Sequence, residues 1–318
     1  MKRFSVFVSL VFGLSVTLSS CIEASQTASI ATEKGQKDNI GNNSVSGEQA
    51  TIEDVQKGVF KEKEEGSHES ASQKGDIIFT HSTRKGKLYH HEHYSFSYSE
   101  PDEQSEWVGY ELTREETYGK YDRANCFDED PIVVTQSAHP YEYRNSGYTK
   151  GHLAPAADMK FNATAMEECF YMSNMSPQTS QFNAGIWNDL EMQVRYWAQK
   201  FSTVYVVTGP ILNSSTPKKM KYVNNRGIEE QSNITIPESF YKIVYDFSMK
   251  GKEKMIGFVI SQDDHGDFFD YAVSVDEIEE LTGIDFFHNL PKASQAELES
   301  QINLSAWKKY TYVNKYKK

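Results

Sequence analysis

Aromatic residues are distributed very unevenly along the chain, and this limits which part of it can form a hydrophobic core. Residues 22–74 consist mostly of Ser, Thr, Gln, Glu, Lys and Gly, contain no Trp or Tyr, and include Phe60 as their one Phe. Ten acidic and six basic residues give this segment a net charge of −4. Such a segment cannot bury enough apolar surface to offset the entropy that ordering would cost. We therefore predict a disordered polar tether over 22–74 and one folded domain over 75–318.

The folded segment is acidic, and its charge limits the partners that it can bind. It carries 35 acidic and 25 basic residues, a net charge of −10 within a whole-chain charge of −12. This balance argues against a protein that coats nucleic acid through bulk positive charge, although a local phosphate site is compatible with it. No apolar run of about 20 residues follows the N-terminal segment, so the sequence does not predict a multi-span membrane protein.

The first 21 residues have the pattern of a targeting signal. Two basic residues begin it, a mostly apolar run covers residues 4–18, and small residues lead to Cys21. The run is too short for a stable membrane span and is typical of a secretory signal. Because Cys21 follows small residues, the pattern also resembles a bacterial lipoprotein signal. We therefore expect a lipid anchor at Cys21 that attaches the protein to the bacterial cell envelope, at the outer membrane or cell surface. An ordinary cleaved signal would instead give a secreted protein.

Two further cysteines, Cys126 and Cys169, lie in the folded segment. In an oxidising compartment they could form a disulfide. Two buried free thiols are the other possibility, because the sequence does not show whether the two Cα atoms come within reach of each other.

Local patterns predict the fold class. Five short segments rich in aromatic or β-branched residues are predicted as strands, and three segments as helices. They do not alternate regularly, which argues against a doubly wound parallel sheet. We expect an α+β domain with a mixed or antiparallel central sheet flanked by helices. The predicted strands are 94–98, 107–112, 202–212, 240–247 and 255–261, and the predicted helices are 183–200, 275–282 and 296–303.

Two polar residues lie on the apolar face of the helix predicted over 183–200. Asn183 lies one turn before the first Trp of that face, and Glu191 one turn after it. Buried polar groups cost about 1–3 kcal/mol unless they are satisfied, so each needs a cap, an ion pair or a metal. Asn183 could be only a helix N-cap, and Glu191 could pair with Arg195 one turn later. The apolar face consists of Trp187, Leu190, Val194 and Trp197.

Three short motifs surround these residues in a fixed order. They are Thr149-Lys150-Gly151-His152, the run 173–178 (Ser-Asn-Met-Ser-Pro-Gln), and the run 183–191 (Asn-Ala-Gly-Ile-Trp-Asn-Asp-Leu-Glu). Their order and spacing resemble the DNA/RNA non-specific endonuclease family, the sugar-non-specific nucleases of the ββα-metal fold. That family has Asp-Arg-Gly-His, then Ser-Asn-x-x-Pro-Gln, then Asn-x-x-x-Trp-x-x-Leu-Glu. Flanking segments extend the resemblance over about residues 85–315.

The resemblance implies a divalent-metal-dependent endonuclease that hydrolyses phosphodiester bonds of DNA and RNA with little sequence specificity. His152 would be the general base, although a lone His is more often structural. Asn183 would be the protein ligand of one Mg²⁺, or of another divalent cation such as Mn²⁺, and Glu191 would orient water around it. Lys150, Arg123 and Arg195 would bind phosphate, and Asn174 would support the site. No protein partner is indicated.

One departure from the family pattern affects this interpretation. The family's Asp-Arg pair before Gly-His is Thr149-Lys150 here. A Lys supplies a point charge where an Arg supplies a planar, bidentate donor, so rate and substrate preference are expected to change more than reaction type. The alternative interpretation is a catalytically weak or inactive surface lipoprotein that binds nucleic acid or a protein partner.

A separate group of histidines precedes the first predicted strand. His90, His91 and His93 lack an acidic or Cys partner at a regular spacing. We therefore do not predict a metal site there.

Overall fold

A computed structural model describes Phe79 and residues 81–309. The predicted signal at 1–21 and tether at 22–74 lie outside these residues. Among the described residues, no helix is both long enough and apolar enough to cross a membrane.

Residues 81–309 form an α+β arrangement, as predicted. Short 3₁₀ turns cover Glu116–Tyr118, Pro140–Tyr143, Met172–Asn174, Phe268–Tyr271 and Leu304–Ala306. The strands are β1 (Lys87–His90), β2 (Ser95–Ser99), β3 (Gln104–Thr113), β4 (Thr149–His152), β5 (Met175–Gln178), β6 (Thr203–Pro210), β7 (Lys219–Val223), β8 (Glu229–Thr235), β9 (Ser239–Asp246), β10 (Lys254–Ser261) and β11 (Ala272–Val273). The helices are α1 (Ala163–Glu168), α2 (Ser180–Ala184), α3 (Ile186–Phe201), α4 (Val275–Thr282) and α5 (Lys292–Glu299).

A seven-stranded sheet organises the described residues, with strand order β1-β2-β3-β6-β9-β10-β11. Every neighbouring pair is antiparallel. The long strands at its centre are buried along most of their length, and β3 is buried at all ten positions. Both faces of the sheet must therefore be covered by other elements.

Alternation along the central strands sends side chains into two separate cores. Val206 and Val244, which pair across β6 and β9, belong to the core that includes α3. Their neighbours Tyr205 and Ile243 belong to the other core, which includes Ile278 of α4. The sheet therefore separates the layer that contains α3 from the layer that contains α4.

The segment identified by the three motifs forms a ββα element. Strands β4 and β5 pair antiparallel, with Thr149 opposite Gln178 and His152 opposite Met175. Helices α2 and α3 follow β5 directly. The predicted α+β class with a ββα element is confirmed.

The helix predicted over 183–200 is in fact two helices. Thr179 caps α2 by accepting a hydrogen bond from the Phe182 amide, and α3 begins only after Gly185. Gly185 has a ψ of −119°, outside the helical range. One interpretation placed Asn183 at the N-cap of a helix. It instead lies inside α2.

Other predictions agree with the structure to different degrees. All five predicted strands are present, and α4 has the predicted bounds. The helix predicted over 296–303 is instead α5, which begins at Lys292, directly after Pro291, and ends at Glu299. The polar strand β8 was not predicted, because apolar and polar residues do not alternate along it.

Cys169 is a buried free thiol. The disulfide considered between Cys126 and Cys169 is therefore not formed. Cys169 packs into the core beside α1, and burial raises the pKa of its thiol to about 12.

We expect Gly185→Ala to destabilise the protein by about 1–3 kcal/mol, because the added methyl overpacks the junction between α2 and α3. A Cβ at this position would lie 2.5 Å from the carbonyl oxygen of Gln181. Urea unfolding would measure the change. Gln181→Ala is the matched control, since it removes an exposed side chain and keeps that carbonyl, and it should stay within about 0.5 kcal/mol of wild type. Equal midpoints for Gly185→Ala and wild type would contradict this account of the junction.

Candidate active site

His152 is presented at the end of β4 with one ring nitrogen unpartnered. Its side chain is almost fully buried, and Nε2 makes no hydrogen bond within the described part of the chain. The preceding residue must be Gly, because a Cβ on Gly151 would lie 2.2 Å from Cδ of the buried Gln178. The strand thus ends on a single buried imidazole, next to a closely packed Gln178 side chain.

The surroundings of His152 keep its ring neutral at neutral pH. Burial, followed by the positive charge of Arg123, lowers the pKa of His152 to about 3, and a hydrogen bond to the Lys150 backbone opposes this. Because Nε2 is the unpartnered nitrogen, Nδ1 is the ring nitrogen that makes this hydrogen bond. Nε2 therefore carries the free lone pair, as a base requires.

An aromatic pair positions the neighbouring positive charges. Phe170 contacts the His152 ring at 4.9 Å between centroids, and the Arg123 guanidinium lies 4.9 Å from the same Phe170 ring. Phe127 packs edge-on against Phe170 at 5.0 Å, and the Lys150 ammonium lies 4.8 Å from the Phe127 ring. Two cations and a neutral imidazole are therefore held around one aromatic wall.

Asn174 lies in the interior, next to the chain that follows His152. It is fully buried, and its Oδ1 accepts a hydrogen bond from the Ala154 amide at 2.8 Å. Its Nδ2 donates to the carbonyl oxygens of Ala154 at 3.0 Å and of Cys169 at 2.8 Å. Asn174 thus fastens the chain just after His152 to the end of α1.

Asn183 is joined to the same strand as His152. Its Nδ2 donates to Oγ1 of Thr149 at 3.1 Å, and Thr149 in turn donates to the carbonyl oxygen of Gln178. Its Oδ1 forms no hydrogen bond within the described residues. The bond to Thr149 fixes the orientation of the amide and leaves a neutral oxygen donor, a type that suits Mg²⁺ or Mn²⁺.

Arg195 pairs with Asp158 and not with Glu191. Its guanidinium donates to Oδ1 of Asp158 at 2.7 Å, while Tyr110 donates to Oδ2 at 2.7 Å. The i to i+4 pair considered for Glu191 is therefore not formed. Asp158 is buried, so the Arg195 charge compensates a carboxylate that would otherwise be costly to bury.

Glu191 is balanced by a cation from the central sheet. Burial raises the pKa of Glu191 to about 7, while the charges of Lys242 and Arg195 oppose the rise. Lys242 is buried on β9, donates to Thr208 at 2.5 Å, and lies 4.9 Å from the Trp187 ring. Burial lowers the pKa of Lys242 to about 8, and the charge of Glu191 opposes this. Each group therefore favours the charged form of the other.

The structure brings the expected site residues into one region. His152, Lys150 and Arg123 surround the aromatic pair, Asn183 is bonded to β4, and Asn174 lies beneath. Glu191 and Arg195 lie on α3, and the charge of Arg123 reaches both His152 and Glu191.

Three residues of this region were missed by sequence reasoning. Lys242 could have been recognised from the sequence, because a Lys stands in the middle of an otherwise aromatic and β-branched strand. No sequence pattern indicates Asp158 or His91, since their partners are distant in sequence.

His91 fastens two segments that carry the aromatic wall. Its Nε2 lies 2.9 Å from Oδ2 of Asp130, and its Nδ1 lies 3.3 Å from Oε1 of Glu168. Asp130 also accepts a hydrogen bond from Ser173. No acidic partner was visible at a regular spacing because these two carboxylates are 39 and 77 positions away. Burial would lower the pKa of His91, but bonds to and charges of the two carboxylates raise it to about 9.

His91 should make the stability of the protein depend on pH. Its folded-state pKa of about 9 exceeds the ordinary value of 6.5. The stabilisation is therefore fully present below pH 6.5 and is lost as the pH rises through 9. Relative to His91→Gln, the excess unfolding free energy of wild type should fall between these values, by at most about 1.4 kcal/mol per pH unit.

Urea unfolding at several pH values between 6 and 9.5 would measure this difference. His265→Gln, at an exposed histidine, is the control and should keep the wild-type pH dependence. A difference between wild type and His91→Gln that does not change with pH would show that His91 is uncharged in the folded protein.

Comparison with known proteins places this geometry in a family. Residues 75–293 match the family model described as DNA/RNA non-specific endonuclease. The human mitochondrial nuclease EXOG is 32% identical over 209 residues, which cover 63% of this chain and 57% of EXOG. Nuclease C1 of Cunninghamella echinulata is 32% identical over 215 residues, covering 65% of this chain and 85% of that nuclease. The chain spans less than two thirds of the length of the EXOG relatives that it matches.

A solved structure agrees with the sequence matches. The structure of an EndoG/EndoGI complex, described as revealing the mechanism of EndoG inhibition, aligns with a TM-score of 0.55 at 29% identity. The alignment covers 64% of this chain and 87% of the other.

The expected localisation is contradicted by these relatives. The matched nucleases of human, Schizosaccharomyces pombe and Saccharomyces cerevisiae are mitochondrial proteins, which argues against a lipid-anchored protein of the bacterial cell envelope. The expectation rested on residues 1–21. A short basic and apolar pattern there indicates targeting only and does not depend on the fold of the rest of the chain. The ββα element, the match over 75–293 and the related nucleases agree, and the chain belongs to the DNA/RNA non-specific endonuclease family.

Proposed function

We propose that this protein is a divalent-metal-dependent endonuclease that hydrolyses phosphodiester bonds of DNA and RNA with little sequence specificity. One observation carries the proposal: Nε2 of the buried, neutral His152 has no hydrogen-bond partner within the described residues, and the cations of Arg123 and Lys150 lie against the aromatic pair beside it. We also propose that residues 75–318 form the endonuclease domain. The nuclease relatives support both statements.

His152 acts as the general base in this proposal. Its Nε2 accepts a proton from the attacking water, while the Nδ1 bond to the Lys150 backbone fixes the tautomer. A general base works best with a pKa near the working pH. The negative phosphate of a bound substrate favours the imidazolium form, so binding raises the pKa of His152 from its low value in the free protein.

Arg123 and Lys150 stabilise the negative charge that develops on the phosphate. Both cations are already positioned against the aromatic pair, so little reorganisation is needed when the charge appears. They touch the backbone of the substrate and no base edge, which accounts for low sequence specificity. Arg195 contributes a third positive charge from the Asp158 pair and keeps Glu191 in its charged form.

Asn183 and Glu191 are the residues that would hold and surround the metal ion. Asn183 would contribute Oδ1 as a ligand, and the Glu191 carboxylate would orient water near it. Mg²⁺ or Mn²⁺, when bound, supplies Lewis-acid stabilisation of phosphate oxygen charge.

The replacement of the family's Asp-Arg by Thr149-Lys150 is compatible with activity. The Thr149 hydroxyl holds the Asn183 amide in place, and Lys150 keeps a cation beside His152. These contacts favour an active nuclease over an inactive surface protein that only binds nucleic acid.

His152→Ala should lower the cleavage rate by about 10²- to 10⁴-fold, the usual contribution of a general base. The full-length protein is incubated with supercoiled plasmid and with RNA, in Mg²⁺, in Mn²⁺ and in EDTA. Wild type should cleave both substrates only with metal. Asn183→Ala should instead require more metal for half-maximal rate, because it removes a metal ligand and leaves the base intact.

Circular dichroism of each variant would confirm that it is folded. Intact plasmid and RNA after incubation with folded wild-type protein, in every metal tested, would contradict the nuclease proposal. The alternative, a protein that binds nucleic acid without cleaving it, would then remain. Wild-type cleavage that persists in His152→Ala would instead assign the base to another residue.

Lys150→Gln should weaken the salt dependence of nucleic-acid binding. If Lys150 contacts one phosphate, its loss reduces the magnitude of the slope of log K against log salt by roughly 1. Binding of a labelled duplex in EDTA, between 50 and 300 mM salt, would measure the slope without cleavage. Lys150→Arg keeps the charge and is the matched control, with the wild-type slope. A slope unchanged in Lys150→Gln would show that Lys150 does not bind phosphate.

A further inference from the structure

Three carboxylates converge on the side of the sheet away from His152. Asp276 and Glu279 lie on α4 and Glu299 lies on α5, and one oxygen from each lies within 4.8 Å of the others. We call these three residues the carboxylate cluster. Both helices pack on the core opposite α3, so the cluster is separate from the candidate active site.

The cluster contains buried oxygens that the protein leaves unsatisfied. Glu299 is 5% exposed, and its Oε1 has no hydrogen-bond partner within the described residues. Gln295, one turn earlier on α5, bonds the Glu299 carboxyl and donates to the carbonyl oxygen of Phe286 at 3.1 Å. Its own Oε1 is also buried and unpartnered. Buried oxygens of this kind are normally satisfied by a donor, a water or an ion.

The charges around the cluster are unbalanced. Asp285 adds a fourth carboxylate that acts on Glu299, while Lys292 is the cation that acts on Glu279. One Lys does not compensate four acidic groups. Since the three ligand atoms are all carboxylate oxygens, the cluster suits a hard divalent cation.

We propose that the carboxylate cluster binds one calcium ion that bridges α4 and α5. Calcium accepts oxygen ligands in flexible geometry, whereas magnesium requires near-ideal octahedral geometry and gives up its waters reluctantly. Three carboxylates from two helices, with ligand oxygens within 4.8 Å of one another, therefore suit calcium better than magnesium. Bound calcium neutralises the repulsion among the carboxylates and fastens the connection between α4 and α5 against the sheet.

Calcium should therefore raise the melting temperature of the protein through this cluster. In the full-length protein freed of metal by chelation, a calcium concentration about a hundred times Kd should raise Tm by roughly 5–10 °C. Glu299→Gln and the exposed Asp276→Asn should each lose most of this rise. Glu280→Gln, at an exposed acid on α4 outside the cluster, is the matched control and should keep it.

Asn183→Ala separates this site from the catalytic metal. In that variant, isothermal titration should still give one bound calcium per chain with an unchanged Tm rise, whether or not the protein cleaves nucleic acid. A Tm rise that survives in both Glu299→Gln and Asp276→Asn would overturn the proposal. Wild-type protein that is stabilised by mild acid and unaffected by calcium would also overturn it, because the carboxylates would then share a proton instead of an ion.

Discussion

Pairing of buried charges beneath the ββα element is the interaction on which the site depends. Lys242 rises from the central sheet and faces Glu191 on α3, while Arg195 on the same helix binds Asp158. An unpaired charge in this interior would be costly, so each of the four groups gains from an oppositely charged neighbour. These interactions link α3 to the central sheet and to Asp158, and α3 follows directly on the helix that carries Asn183.

His152 is held by a second set of polar contacts. Asn174 uses its whole amide to fasten the chain after His152, and His91 binds carboxylates from two separate segments. Those segments carry Phe127 and Phe170, which contact His152 and the neighbouring cations. A reacting group fixed in this way loses little entropy when substrate binds, which is the usual benefit of a rigid site.

Sequence reasoning succeeded where the controlling interactions are local. Helix α4 was predicted with its correct bounds, since Ser274 caps its start and Gly283 ends it in the left-handed conformation. The family resemblance of the motif around His152 implied a ββα element, and β4, β5 and the helices after them form one. The break at Gly185 was missed, because the helical pattern of apolar residues runs through a residue whose backbone is set by packing. The pairing of Arg195 with Asp158 was not predicted, because the two residues are 37 positions apart.

The amino-acid sequence by itself determined the acidic aromatic-rich domain, most of its strands, and the order of motifs that identifies the family. These properties depend on periodicity and on neighbours within a few positions. Only the tertiary structure decided that Lys242 balances Glu191, that His91 binds Asp130, and that acidic residues of two helices form the carboxylate cluster. Such contacts join residues far apart in the chain, and burial, which a one-dimensional pattern does not contain, sets their strength and their protonation.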